Sequence, residues 1–391
     1  MKRTWRLLLA LLALNLVAAA CGDSDDDDGA TDTTSAPETT GGETTAAPDT
    51  TAAPDTTGGE TTVAPETTGG GGGGAAAGFL ACQVTDTGGV DDRSFNQTAY
   101  AGLQRAESEL GAEIAVLESQ DAADYQPNIQ SFIDQGCDVI VTVGFLLDQD
   151  TATSAQANPD QPFAIVDFAY DPPIENVRGL VFDTDQAAYL AGYLAAGMTE
   201  TGTVGTYGGI NIPTVTIFME GMRLGVAAYN EENGTDVQLL GWDGTDGLFT
   251  GNFESTDDGR AFGQNLIDEG ADIIMPVAGP VGLGTAAVAQ EVGGIKLIGV
   301  DTDQFVSAPE FSDVFLTSVV KNMDVAVFDT IAAVAETGAL PDNLYVGTLE
   351  NDGVGLAPYH DFEADVPAEL STRIDEIRQE IVDGTLTVGE G

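Results

Sequence analysis

From residue 78 onward the chain alternates short, nearly unbroken apolar runs with longer stretches in which apolar residues recur every three to four positions. The runs predict strands at 79–85, 113–118, 139–144, 163–168, 203–208, 237–242, 273–278, 296–300 and 314–319. The periodic stretches predict helices at 94–110, 124–135, 186–198, 214–233, 258–269, 283–292, 323–337 and 367–383. Strands separated by helices of ten residues or more make βαβ units and parallel sheets, whose strands are apolar on both faces because helices cover both. The fold class expected is therefore α/β.

Two stretches repeat one another. GCDVIVTVGFLLDQDTATSA (136–155) and GADIIMPVAGPVGLGTAAVA (270–289) each run Gly-x-Asp, strand, glycine turn, small-residue helix. The pattern breaks near 200–202, which predicts two similar α/β lobes. A crevice between lobes is a favoured place for a ligand, and hinged closure over it is a common motion. The carboxyl end of the first strand carries Asp86, Asp91, Asp92, Arg93, Phe95 and Asn96 in TDTGGVDDRSFNQ, at the sheet edge where such folds hold ligands.

The amino-terminal residues belong to no such pattern. Residues 1–21 hold a basic start (Lys2, Arg3, Arg6), an apolar run too short to span a bilayer, and Ala18-Ala19-Ala20-Cys21. They are expected to be an export signal ending at a lipidated Cys21, with cleavage at A-x-A as the alternative. Residues 22–77 are Thr-, Pro-, Gly- and Asp-rich without an aromatic residue, so they cannot bury a core. They read as a disordered spacer about 56 residues long, with an end-to-end distance of roughly 40 Å.

Charge narrows the function. There are 64 Asp and Glu against 12 Lys and Arg, a net charge of -52, which repels nucleic acid and anionic lipid. His360 is the single histidine, so a histidine-pair zinc site is excluded and a Ser/His/Asp relay has one candidate. GPVGLG (279–284) lacks the Lys-Ser/Thr of a phosphate loop. Asp243, Asp246, Asp257 and Asp258 lack calcium-loop spacing and read as solvated acidic loops. No cofactor or metal is expected. Cys82 and Cys137 are either a disulfide, which an exported protein permits, or two buried thiols.

The stretch 85–103 resembles the opening signature of the basic membrane protein family of lipoproteins, which includes purine-nucleoside-binding components of ABC importers. AIVDF (164–168), GYLAAG (192–197), GMRLGV (221–226), GADIIMPVAGPVGLG (270–284), GVDTDQ (299–304) and SVVK (318–321) extend the resemblance to about residue 360. It implies a type I periplasmic-binding-protein fold within 78–391, two Rossmann-like lobes with a ligand cleft between them. Lobe 1 would be about 78–200 plus 302–322, and lobe 2 about 203–301 plus 323–391. It also implies a cleft in which Phe95 stacks on a purine beside Asn96, with Asp86 near by. Asp167 would accept hydrogen bonds from the base edge. Asp301 and Lys321 would hold the ribose, and Gly279 would let backbone approach the sugar. Met275 stands where relatives often carry a second aromatic ring, and Phe253 is the candidate to compensate.

The function this implies is a non-enzymatic, lipid-anchored, monomeric receptor on the outer face of the cell membrane. It would deliver a nucleoside to ABC permease subunits, touching the membrane through its lipid alone. The alternatives are a receptor for another neutral solute, such as a sugar or signalling furanose, and an exported nucleoside hydrolase.

Overall fold

The computed structural model describes residues 78–389, all within one unit of the chain, Gly69–Gly391. The export signal, Cys21 and the 22–77 spacer lie outside the described residues. The chain first builds β1 (Leu80–Thr85), α1 (Phe95–Arg105), β2 (Glu113–Leu117), α2 (Tyr125–Gln135), β3 (Val139–Val143), α3 (Asp148–Ala157), β4 (Phe163–Val166) and β5 (Val177–Phe182). It then crosses to a second lobe: α4 (Thr184–Met198), β6 (Thr203–Gly208), α5 (Pro213–Asn233), β7 (Gln238–Leu240), α6 (Thr256–Asp268), β8 (Ile273–Val277), α7 (Gly282–Val292), β9 (Lys296–Asp301), α8 (Gln304–Ser307) and β10 (Phe315–Lys321). Helix α9 (Met323–Thr337) and β11 (Leu344–Gly347) return to the first lobe, and β12 (Val354–Leu356) and α10 (Ala368–Val382) to the second.

The sheets run β11-β5-β4-β3-β1-β2 and β12-β10-β9-β8-β6-β7. Pairing is parallel except that β12 lies antiparallel to β10. The two orders superimpose position for position, so the repeat read in the sequence is a repeat of the fold. Its shared Gly-x-Asp has a structural reason. Asp138 accepts the amide of Leu80 at 2.7 Å, and Asp272 accepts those of Glu200 and Thr201 at 2.6 and 3.1 Å. Each aspartate thus ties the entry to its lobe's first strand.

The lobe boundaries differ from those expected. Helix α4 packs along α5, so the first crossing falls at Asp183 rather than near residue 200. Strand β10 pairs with β9, which keeps 302–321 in lobe 2. Helix α9 packs on α1 and β11 pairs with β5, which puts 323–347 in lobe 1. Apolar periodicity reports that an element is buried, not which sheet covers it. The three crossings are bonded together: Asp183 N donates to Gly347 O at 2.8 Å and Asn322 N to Gly353 O at 2.9 Å.

Strands β5, β11 and β12 go unpredicted. In β5 the apolar run is interrupted by Arg178, which is buried and donates to Asp342 and Thr330, each at 2.8 Å. Cys82 on β1 and Cys137 before β3 form a disulfide, with Cα atoms 6.1 Å apart, which settles their two readings. The α4–α5 contact explains two of the motifs. A Cβ on Gly192 of GYLAAG would fall on the Met222 carbonyl oxygen, and one on Gly225 of GMRLGV on that of Tyr189. These glycines let the two helices pack backbone to backbone; they are not near the carboxyl edge. Among the described residues no helix is long and apolar enough to cross a membrane.

Candidate functional site

The carboxyl ends of both sheets face one cavity, with about 620 Å³ of empty space including its mouth. Lobe 1 contributes Asp86, Thr87, Asp92, Phe95, Asn96, Gly144, Phe145, Leu146 and Asp167; lobe 2 contributes Phe218, Phe253, Val277, Gly279, Asp301 and Lys321 among others. Of the nine residues expected in a cleft, eight line it.

Met275 is the exception. It is fully buried in the hydrophobic core, on the same face of β8 as the lining residue Val277. Two residues further from the carboxyl end, it is set back about 7 Å along the strand. Phe253, from the loop before α6, does reach the cavity, as do Phe145 and Phe218, which the sequence reading missed. Phe145 had a legible signal: it occupies, in the repeat, the position of Gly279 (145 + 134 = 279).

The segment DDRSFN is built around Asp92. Its carboxylate accepts the backbone amides of Ser94 (3.0 Å), Asn96 (2.8 Å) and Gln97 (2.9 Å), satisfying donors that the first turn of α1 leaves free. This orients the next side chains. Asn96 Nδ2 donates to Asp86 Oδ1 at 2.9 Å and to the Thr87 carbonyl at 3.1 Å. With its amide nitrogen so engaged, Asn96 Oδ1 is buried without a donor among the described residues. A buried acceptor in this state is costly, and it suits a ligand that brings an N–H or O–H.

Across the lobe boundary Lys321 Nζ donates to Asp167 Oδ1 and Oδ2, at 2.9 and 2.7 Å, and stands 3.8 Å from Asp301 Oδ1. Asp301 Oδ2 accepts from Ser94 Oγ at 2.8 Å. Lys321 thus pairs first with Asp167 and second with Asp301. The ammonium also lies 4.9, 5.5 and 5.6 Å from the ring centres of Phe95, Phe182 and Phe218, where ring quadrupoles favour a cation.

Four buried carboxylates share this cavity with one ammonium. Burial pushes Asp86 up to about 8; the Asn96 hydrogen bond opposes the shift, and the neighbouring Asp92, Asp167 and Asp301 add to it. Burial raises Asp92 to about 6 against its three amide donors. Asp167 and Asp301 are also raised by burial, and Lys321 holds both back. Asp86 thus holds its proton at neutral pH, but the remaining acids still outnumber the one ammonium, and an added phosphate would meet like charge.

The sequence profile of the Bmp family, described as ABC transporter substrate-binding protein PnrA-like, matches residues 79–390. The chain belongs to the Bmp family. It is 33% identical over 330 residues to the CD4+ T-cell-stimulating antigen of Listeria monocytogenes, covering 80% of this chain and 88% of that protein. It is 30% identical over 326 residues to the ABC transporter nucleoside-binding protein BmpA of Lactococcus lactis, covering 79% and 88%. It is also 30% identical over 307 residues to basic membrane protein A of Borreliella burgdorferi, covering 77% and 85%. An ABC transporter solute-binding protein of Aeropyrum pernix K1 superimposes with a TM-score of 0.72 at 24% identity, over 80% of this chain and 94% of that one. That likeness bears on the fold, which is the two-lobed type I architecture. As a Bmp family member the chain is a substrate-binding protein of an ABC transporter.

Proposed function

We propose that this receptor captures a nucleoside, a purine nucleoside foremost, and that Cys21 carries a lipid anchoring it to the outer face of the membrane. The observation that carries the ligand reading is the meeting of aromatic faces and a charged triad in one cavity. Four phenylalanines, Phe95, Phe145, Phe218 and Phe253, supply flat apolar faces, and base stacking on an aromatic ring is worth about 1–3 kcal/mol per base. Beside them Asp167, Lys321 and Asp301 offer acceptors and a charged donor, the chemistry that holds vicinal hydroxyls. The unpartnered Asn96 Oδ1 calls for a donor on the base edge.

Lys321 serves the sugar and also neutralises Asp167, so Asp167 acts together with Asp301 rather than as a separate reader of the base. The charge of the cavity favours an uncharged nucleoside over a nucleotide. The Lactococcus lactis relative, named as nucleoside-binding, supports the same reading. Pyranose receptors stack sugars on tryptophan; here Trp242 donates its indole N–H to Glu220 at 2.8 Å and is not among the lining residues. Binding closes the lobes over the ligand, delivery follows at the permease, and no bond is made or broken.

Calorimetric titration with adenosine, guanosine, inosine, cytidine and uridine tests the ligand. The purine nucleosides are expected to release heat and their monophosphates none; silence with all five nucleosides overturns the proposal. Mass spectrometry of the mature amino terminus tests the anchor.

A further inference from the structure

We infer that two consecutive residues, Arg93 and Ser94, form a clasp that holds the lobes shut. Both belong to lobe 1, in the loop that enters α1, and each bonds to lobe 2. The Arg93 guanidinium pairs with Glu310, in the turn between α8 and β10. The Arg93 carbonyl accepts from Ser307 Oγ at 2.8 Å. Ser94 Oγ donates to Asp301 Oδ2 at 2.8 Å.

The placement of these bonds matters as much as their number. Ser94 is fully buried and Arg93 half exposed. The clasp therefore runs from the interior of the cavity to a more open cleft beside it, which Arg93 lines with Asp92, Glu118 and Pro280. Arg93 adopts a left-handed backbone, φ 59°, uncommon for a residue with a side chain. That conformation presents its carbonyl to Ser307 while its guanidinium reaches Glu310. The flanking residues serve the ligand side: Asp92 fixes the helix start, and Phe95 and Asn96 line the cavity. A displacement of Phe95 is transmitted through one peptide unit to the contacts that join the lobes. Arg93 and Ser94 are thus positioning residues, acting on capture through closure.

The inference depends on a cleft that opens and shuts, not on which solute fills it, and its test is chosen accordingly. Nitroxide labels are placed on exposed residues far from the hinge, Glu113→Cys in lobe 1 and Asp236→Cys in lobe 2, in the full chain with Cys21→Ser. Interlobe distance distributions are then measured without ligand. Arg93→Ala and Glu310→Ala are each expected to lower the closed-to-open ratio about three- to fivefold, as an exposed pair does. The double variant should lose no more than either single one, and Arg93→Lys should restore most of the closed population. Ser94→Ala, which strips a buried carboxylate of its donor, should lower the ratio about tenfold or more. High salt should reproduce the Arg93 effect and not the Ser94 effect. Thermal unfolding within a few degrees of the parent shows that the variants fold. Distributions that superimpose on the parent, or additive effects of Arg93→Ala and Glu310→Ala, overturn the clasp whether or not any nucleoside binds.

Discussion

Asp167 and Asp301 are one residue of the repeat, seen twice. They lie 134 positions apart (301 − 167), as do the aspartates of the two Gly-x-Asp sequences (272 − 138). Asp167 follows β4 and Asp301 ends β9, equivalent strands of the two sheets. Both have left-handed backbones, with φ 68° and 69°, and both address Lys321 Nζ, at 2.7 and 3.8 Å. Such backbones cost on the order of 1–3 kcal/mol each and persist where the surroundings determine them. The cation has no counterpart in lobe 1, where the equivalent strand β5 ends in Phe182.

Lys321→Met should therefore be severely destabilising, since it leaves two buried carboxylates facing each other. Losing one partner of a buried ion pair costs about 3–5 kcal/mol. Urea unfolding at pH 7 should show a loss of this size, shrinking toward pH 4 as the acids protonate. A loss below about 1 kcal/mol would mean that water already screens the pair.

The pH dependence has a definite sign. Asp86 titrates at about 8 in the folded chain against an ordinary 3.8, so the native state holds a proton that the unfolded state releases. The stability it contributes is full below about pH 4, falls as pH rises, and is gone above about 8. Relative to Asp86→Asn, the parent should lose stability steadily from pH 5 to 8 and level off beyond. Parallel curves for the two proteins would show that Asp86 is ionised throughout.

Gly225→Leu separates packing from binding. Its side chain would meet the Tyr189 carbonyl, forcing α4 from α5. Overpacking typically costs about 1–3 kcal/mol, and backbone contact puts this case at the upper end. The unfolding free energy from denaturant titration should fall by that amount, while ligand affinity at 25 °C changes less than threefold. A large loss of affinity with unchanged stability would instead tie this helix pair to the site.

Replacing Cys82 and Cys137 by alanine removes a cross-link spanning 55 residues of lobe 1. Unfolding should become easier by about 2–4 kcal/mol, with closure and ligand affinity retained. The bridge lies between β1 and β3, away from the cavity.

Much of this was open to reading from the residues. The strand–helix alternation, the internal repeat and the edge motif TDTGGVDDRSFNQ foretold two lobes and most of the cavity wall, because local pattern dictates local structure. Lobe membership was hidden: 302–347 crosses between lobes, and nothing in its periodicity says which sheet it joins. Arg178 concealed β5, since a buried charged residue that finds hydrogen-bond partners breaks the apolar run without breaking the strand. Met275 was misplaced by a two-residue matter of depth, and Phe145 was overlooked although the repeat pointed to it. The switch of Lys321 toward Asp167 could not be read at all, because it depends on how two lobes meet.

The chain enters lobe 1 at the amino end of β1, whereas the cavity lies beyond the carboxyl end of the same strand. Six residues of extended chain separate them by about 20 Å. Any pull on residue 78 is consequently borne by lobe 1 at its back, leaving lobe 2 as the freely swinging jaw. The face of lobe 1 that receives the chain is thus the one turned away from the mouth of the cavity.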